Sequence, residues 1–386
     1  MRKDFLIFGS PKIGQDEINE VVDSLRSGWI STGPKVAKFE NNFKKFIGAR
    51  YVVALNSCTA GLHLSLITAG VKRDDEIITT PMTFAATANT ILHVGAKPVF
   101  IDVKRDTMNI DVSKIEKKIT RKTKAIMPVH MAGRPCDMDK IMKIAKRHKL
   151  VVIEDAAHAI GASYKGKKIG TIGDYTVFSF YVTKNLVTGE GGMVASKDKD
   201  IINRIQTYAL HGMSKGAWKR YSDKGYKHYQ VVNPGYKYTM MDIQAAIGIH
   251  QLKKFNKYQK RRKEVWNKYN KEFKNLPIIT PADPEKRTIH ARHLYTIMLE
   301  LNKLSIDRDR FVEELYKRNI GTGVHFIAVH LHPYYKKTFG YKRGAFPNAE
   351  WISDRTLSLP LSAKLSNKDV KDVIQVVKEV CNLFQK

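Results

Sequence analysis

The sequence predicts an α/β fold: a large domain with a mostly parallel central sheet sandwiched by helices, then a smaller α+β domain. Three observations point to it. From about residue 50 to 200, short β-rich runs alternate regularly with stretches of helical spacing. The intervening stretches, such as "AGLHLSLITAG" (60–70) and "MDKIMKIAKRHK" (138–149), are long enough to cover a sheet as helices. After about residue 250 the alternation gives way to a long basic segment and a different order of elements.

In chain order, strands are expected at "YVVALN" (51–56), "EIITT" (76–80), "PVFIDV" (98–103), "KAIMPVH" (124–130), "VVIED" (151–155), "YTVFSF" (175–180) and "MVAS" (193–196). Next, "QLKKFNKYQKRRKEVWNKYNKEF" (251–273) reads as one helix, "HARHLYTIMLEL" (290–301) as a strand and "DRDRFVEELYKRN" (307–319) as a helix. In the tail, Val370, Val373, Ile374, Val377, Cys381 and Phe384 share one helical face, and Ser366 with Asp369 resembles a capping box. The expected division is therefore 1–250 for the large domain with an N-terminal arm and 251–386 for the small one.

Composition narrows the function classes. A chain of 386 residues with 43% hydrophobic content and 13 prolines is a folded globular protein, without low-complexity tracts or repeats. Near the N-terminus the apolar run Phe5 to Phe8 is too short for a signal peptide or a spanning helix, so a cytoplasmic protein without a membrane partner is expected. Cys58, Cys136 and Cys381 are too few and too scattered for a disulfide framework or a tetrahedral metal site. The net charge of +30 favours acidic partners, although lysines spread over the whole chain fit a general compositional bias as well.

In parallel sheets, ligands bind at the carboxyl ends of the strands. There the sequence places "NSCTAG", "PMTF", "DAAH" and "YVTKN", and Lys184 precedes the glycine-rich "GEGG". A lysine amine that can condense with a carbonyl, a carboxylate for a pyridine nitrogen and a phosphate cradle are together what pyridoxal phosphate (PLP) chemistry needs. Lys184 supplies the amine and Asp155, ending "VVIED", the carboxylate; "NSCTAG" puts hydroxyls and free amides at an expected helix N-terminus. Ser179 could add a hydroxyl, Phe84 an aromatic face for stacking, and His158 a contact to the ring's phenolic oxygen. Singly, each residue has an ordinary structural explanation. Their joint order along the chain points to the cofactor.

The stretch "EDAAHAIGASYKGKKIGTIGDYTVFSFYVTKNLVTGEGG" resembles the signature of the DegT-type nucleotide-sugar aminotransferases, PLP enzymes of fold type I with the architecture of aspartate aminotransferase. The resemblance extends through "SGWISTGPKVAKFE" (27–40), "LNSCTAGLHLSL", "PGYKYTMMDIQAAIG" (234–248), "IGTGVHF" (320–326) and "LSLPL" (357–361), covering nearly the whole chain. "IGTGVHFIAVHLHPYY" and "PNAEWISDRTLSLPL" are most similar to the branch that forms UDP-4-amino-4-deoxy-L-arabinose.

The resemblance implies that Lys184 holds the cofactor covalently, Asp155 pairs with the pyridine nitrogen, Phe84 stacks on the ring and His158 approaches its O3. It assigns the phosphate to Thr59 with the neighbouring amides of Cys58 and Ala60, to Ser179, and to Lys237 of a partner subunit in a homodimer with shared active sites. Trp29, Ser31, Thr32, Tyr181 and His325 would line the sugar pocket. Many relatives have histidine where Tyr181 stands, and asparagine and arginine where Lys237 and Thr239 stand. The implied reaction moves an amino group from L-glutamate, leaving 2-oxoglutarate, to a 4-keto nucleotide-diphosphate sugar for a surface polysaccharide or lipid, with C3 amination as an alternative. Relatives that act as dehydratases replace the lysine by histidine, and Lys184 is a lysine.

Two rivals come from the residues alone. In 251–273, Phe255, Tyr258, Trp266 and Tyr269 interleave with lysines as they would in a nucleic-acid or polyanion binder, yet their spacing is that of a buried helical stripe. His325, His330 and His332 are loosely spaced for a metal, and no metal is expected.

Overall fold

The computed structural model describes residues 2–214 and 229–386. Helices α1 (Gln15–Ser27) and α2 (Pro34–Ile47) precede an alternating series. It comprises β1 (Tyr51–Leu55), α3 (Cys58–Thr68), β2 (Glu76–Thr79), α4 (Ala85–His93), β3 (Lys97–Phe100), β4 (Thr123–Ile126), α5 (Met138–His148) and β5 (Val151–Asp155). A short hairpin follows, β6 (Ser163–Tyr164) with β7 (Lys167–Lys168), and then β8 (Tyr175–Ser179), β9 (Gly192–Ser196) and α6 (Lys199–Ala209).

Seven of these strands form one sheet in the order β1-β9-β8-β5-β4-β2-β3. Pairings from β8 across to β3 are parallel, whereas β9 runs antiparallel to both β8 and β1. The cause is the connection: residues 180–191 hold no helix, so the chain returns beside β8 without a crossover. Along β1, Val52 and Ala54 enter one core with Val36, Phe39 and Phe43 of α2, while Val53 and Leu55 enter the opposite core with Leu62 and Leu66 of α3. Both faces are thus covered, which accounts for strands that are apolar at nearly every position.

The remaining elements are α7 (Asp242–Phe273), β10 (Ile278–Ile279), β11 (Tyr295–Leu299), α8 (Arg308–Lys317), α9 (Pro333–Phe339), α10 (Pro347–Ser353), β12 (Thr356–Leu359) and α11 (Asn367–Phe384). The order β10-β11-β12 makes an antiparallel sheet. Helix α7 begins earlier than the expected 251, because buried Asp242 accepts hydrogen bonds from the Gly33, Lys35 and Val36 amides at 2.8, 3.0 and 2.9 Å. Its 32 residues run unbroken past residue 250, a length of roughly 48 Å at 1.5 Å per residue. Its far half, Val265, Trp266, Tyr269 and Phe273, packs in a second core with α11.

Phe255, Tyr258, Trp266 and Tyr269 are all buried, so the aromatic stripe is packing and offers no stacking platform. At the start of the chain, Leu6 bridges to Ile320 and lies in that second core. Three expected strands are clearly shorter than their apolar runs: 124–130 ends at Ile126, two residues before Pro128, which has no amide to donate. The run 98–103 leaves the ladder after Phe100, and 290–301 is a strand only over Tyr295–Leu299, because the Ala291 and His293 amides bond to Gly133 and Ala132 instead. The tail helix has the expected capping box, with the Asp369 amide donating to Ser366 Oγ at 3.1 Å and the Ser366 amide to Asp369 Oδ2 at 2.8 Å.

Candidate active site

The carboxyl ends of β5 and β8, the start of α3 and the residues before α4 converge on a cavity of about 470 Å³. Asp155, the last residue of β5, is buried at its base. Its Oδ2 accepts from Thr87 Oγ1 at 2.7 Å and its Oδ1 from the Ala157 amide at 3.1 Å. Burial raises its pKa above the ordinary carboxylate value, opposed by the Thr87 hydroxyl, the Ala157 amide and the charge of Lys184.

Lys184 sits on the loop between β8 and β9, where its amide closes a turn on Tyr181 O at 2.9 Å. Asn185 anchors that turn through Nδ2 to Ala291 O at 2.7 Å. Burial holds the Lys184 amine down at about 8, against the opposing pull of the Asp155 charge. An amine with that value is partly neutral near pH 8 and can act as a nucleophile or base.

Of the glycines after Lys184, Gly189 takes a left-handed turn with φ +84°, while Gly192 serves close packing. A Cβ on Gly192 would meet Ser57 O at 2.5 Å and Cys58 N at 2.6 Å, so only glycine lets β9 run against the first turn of α3. That turn is capped by Ser57, whose Oγ accepts from the Ala60 amide at 3.1 Å. The Cys58 and Thr59 amides have no acceptor among the described residues, and exposed Thr59 lines the cavity. Burial pushes the Cys58 thiol well up, leaving it protonated. Ala60 lies beneath, buried and off the lining.

Phe84 stands just before α4 with 63% of its surface exposed, and its ring is tilted against Phe326 at 6.1 Å. Opposite are three imidazoles. His158 lies 4.6 Å from the His293 ring and nearly parallel to Phe326, and its buried Nδ1 has no hydrogen-bond partner. His293 Nδ1 is 3.3 Å from Asn185 Oδ1; since the Asn185 amide nitrogen already donates to Ala291 O, the imidazole is the donor. His325 Nδ1 lies 2.9 Å from Ser358 Oγ. Burial first, and then the Lys184 charge, hold His158 and His293 well below the usual histidine value and His325 at about 4. All three are uncharged at neutral pH.

Of the residues expected from sequence, Cys58, Thr59, Phe84, Asp155, His158, Ser179, Tyr181, Lys184 and His325 line this one cavity. Ala60, Lys237, Trp29, Ser31 and Thr32 do not. Thr32 Oγ1 donates to Met240 O at 2.6 Å and Ser31 O accepts from the Asp242 amide, so the 29–33 turn is pinned to the start of α7. Lys237 is exposed on a segment that bridges to Leu210. Sequence reasoning missed Thr87, Glu190, His293 and Phe326, which also line the cavity. Thr87 stands within "PMTFAATANT", three residues after Phe84, where a hydroxyl one helical turn on was a usable signal.

The histidines of "HFIAVHLH" diverge: His330 Nε2 pairs with Glu350 Oε1 at 3.0 Å, His332 is exposed, and His325 enters the cavity. Among the described residues no cluster of three potential metal ligands occurs.

The sequence from 11 to 378 matches the model of the DegT/DnrJ/EryC1/StrS aminotransferase family. The spore coat polysaccharide biosynthesis protein SpsC of Bacillus subtilis is 50% identical over 381 residues, covering 98% of both chains. Spr1654 of Streptococcus pneumoniae, solved in its PMP form, superposes with a TM-score of 0.92 at 35% identity over 98% of this chain and 99% of that one. PseC of Helicobacter pylori, an aminotransferase involved in the biosynthesis of pseudoaminic acid, gives a TM-score of 0.91 at 31% identity over 99% and 100% of the two chains. The chain belongs to the DegT/DnrJ/EryC1/StrS aminotransferase family.

Proposed function

We propose that the protein is a PLP-dependent sugar aminotransferase that transfers the amino group of L-glutamate to C4 of a nucleotide-linked 4-keto sugar destined for a surface polysaccharide or lipid. The observation that carries this reading is the placement of the Lys184 amine and the Asp155 carboxylate in one cavity beside the exposed face of Phe84. The names of SpsC and PseC support a sugar as acceptor, and Spr1654 has been solved in both PLP and PMP forms.

The residues fit the cofactor. His158 Nδ1 is a buried polar atom without a partner, suited to the ring's phenolic oxygen. The unpaired Cys58 and Thr59 amides, at the positive end of α3, and the Ser179 hydroxyl suit the phosphate. Asp155, held in place by Thr87, would keep the pyridine nitrogen protonated. When bound, PLP withdraws electrons from the carbon bearing the amino group, which makes its proton removable.

Lys184 would secure the cofactor covalently between turnovers; once displaced by an amine, it would take that proton and return it to the cofactor carbon on the other side of the nitrogen. Its lowered pKa keeps the base available near neutral pH. The uncharged His158, His293 and His325 leave Lys184 as the nearby titrating cation and can meet sugar hydroxyls as neutral partners.

A homodimer belongs to the same reading. Lys237 and the 29–33 turn lie outside the chain's own cavity, and exposed Trp29, Ile30 and Met241 give that region an apolar surface for a second copy. Among the described residues no helix is long and apolar enough to cross a membrane. A cytoplasmic setting, where L-glutamate and nucleotide sugars are made, suits the reaction.

The test is the near-visible spectrum of the PLP-loaded protein with L-glutamate, followed by NMR of the product from 4-keto and 3-keto nucleotide sugars. Loss of the long-wavelength band with glutamate and amination at C4 are expected. An unchanged spectrum refutes the donor, and amination of the 3-keto sugar alone refutes the regiochemistry.

A further inference from the structure

Behind Lys184, on the side away from the main cavity, lies a second, small cavity of about 20 Å³, lined by Lys12, Lys184, Tyr258, Arg262, Ser10 and Ser362 among others. Its volume suits one atom or ion of about the size of a water molecule. Arg262, on α7, is 4% exposed and reaches no carboxylate. Its Nη1 donates to the carbonyls of Leu361 at 2.9 Å, His293 at 3.3 Å and Arg292 at 3.4 Å. Its Nε and Nη2 have no acceptor among the described residues.

A guanidinium stays charged at neutral pH even here, where burial lowers it to about 10. A buried charge without a counter-charge is costly, and carbonyl dipoles offset that cost only in part. Glu17, which binds Gln251 of the lining, is engaged elsewhere: it accepts from Gln251 Nε2 at 2.9 Å, Lys254 Nζ at 2.7 Å and the Gly14 amide at 3.0 Å, and it does not line the cavity. Among the described residues the cavity lining contains no carboxylate. Among the described residues the hydroxyls of Ser10, Ser362 and Tyr258 donate to no acceptor, and Ser362 Oγ already accepts from the Lys364 amide at 3.1 Å. A water molecule would find acceptors in the Gln251 and hydroxyl oxygens of the lining, but it would leave the cation without a counter-charge.

We infer that this cavity is a binding site for a monovalent anion of halide size, held by Arg262 and the surrounding hydroxyls. The anion would join three segments beneath the catalytic lysine: the N-terminal stretch at Ser10 and Lys12, helix α7, and the chain after β12 at Ser362. Arg262 also holds the His293 carbonyl, so the site supports the segment whose imidazole faces the main cavity. Outside it, a groove of about 510 Å³ carries Lys12, Lys257, Lys260, Arg261 and Lys364 against the single carboxylate Glu264, a positively charged entrance.

Bromide is the probe. In crystals of the full chain grown with sodium bromide, an anomalous peak beside Arg262 is expected. Water, or nothing, in that cavity while bromide occupies other sites overturns the proposal. In solution, chloride should raise Tm saturably by about 2 °C over isethionate at equal ionic strength. Equal Tm in the two salts also overturns it. Arg262→Met should abolish the chloride dependence; if that variant fails to fold, Ser362→Ala is expected to fold and to weaken half-saturation by about fivefold, and an unchanged midpoint counts against the site. None of these readouts involves turnover, so they stand or fall separately from the proposed reaction.

Discussion

Thr87 Oγ1 lies 2.7 Å from Asp155 Oδ2, joining helix α4 to the end of strand β5 at the base of the cavity. Thr83 extends the link, its hydroxyl 2.7 Å from that of Thr87. The carboxylate is thereby oriented from the element that also presents Phe84, so the two groups that would grip opposite features of a pyridine ring are set by one helix.

Replacing that hydroxyl should loosen the grip. Thr87→Val preserves shape but removes a hydrogen bond to a carboxylate, a contribution of about 1.5 kcal/mol, equivalent to about tenfold in an equilibrium constant. The variant should bind PLP about tenfold more weakly by fluorescence titration, with an unchanged fold by circular dichroism. Unaltered affinity would show that the Ala157 amide alone suffices.

The amine of Lys184 gives a pH dependence with a defined sign. Its folded pKa of about 8 lies below the free lysine value of 10.5. Below about pH 8 the neutral, reactive fraction of the amine shrinks about tenfold per pH unit, so the rate at which apoprotein captures an aldehyde should fall in that proportion there and level off above. For stability, the unfolded chain binds the additional proton between pH 8 and 10.5, so this group favours the fold progressively as pH rises across that window. Stopped-flow absorbance checks the first statement, and a rate flat from pH 6 to 9 would contradict it.

Lys184→Ala should leave PLP bound without a covalent link. After borohydride treatment, mass spectrometry should show the cofactor mass added to the wild-type chain and absent from the variant. Loss of the positioned base should lower turnover by at least about 10³-fold.

Gly192→Ala probes the approach of β9 to α3. The added methyl would meet backbone atoms of Ser57 and Cys58 at 2.5 and 2.6 Å, which cannot swing aside as a side chain can. A stability loss of about 1–3 kcal/mol in urea titration is expected, together with weaker binding of the phosphate group, measured as PLP affinity against that of pyridoxal. Equal losses for both ligands would show that the strain does not reach the first turn of α3.

Much of this architecture was legible in the residue order. Strands such as Val151–Asp155 and Tyr175–Ser179 appear as apolar runs because a sheet covered on both faces selects such residues at every position. Asp155, Ser179 and Lys184 stand at or just after those runs, so their assembly followed from the rule that parallel strands deliver their carboxyl ends to one edge. His293 and Phe326 were not legible in that way. They reach the cavity from the C-terminal part of the chain, His293 through backbone bonds from Ala291 and His293 to Gly133 and Ala132 and Phe326 beside a Ser353 hydroxyl bond to its carbonyl at 3.2 Å, and no local period encodes such contacts. The start of α7 was hidden for a related reason, since Asp242 is fixed by amides more than 200 residues earlier.

The sequence by itself determined the sheet, its covering helices and the lysine and carboxylate at its edge, because hydrophobic periodicity and strand-end chemistry are local properties. Tertiary structure alone decided which partners those groups meet. Thr87 orients Asp155, burial lowers the Lys184 amine, three imidazoles stay uncharged around it, and Arg262 is left without a carboxylate beneath it. Desolvation and hydrogen-bond geometry depend on what surrounds an atom in space, and the chain acquires those surroundings only when distant segments pack together.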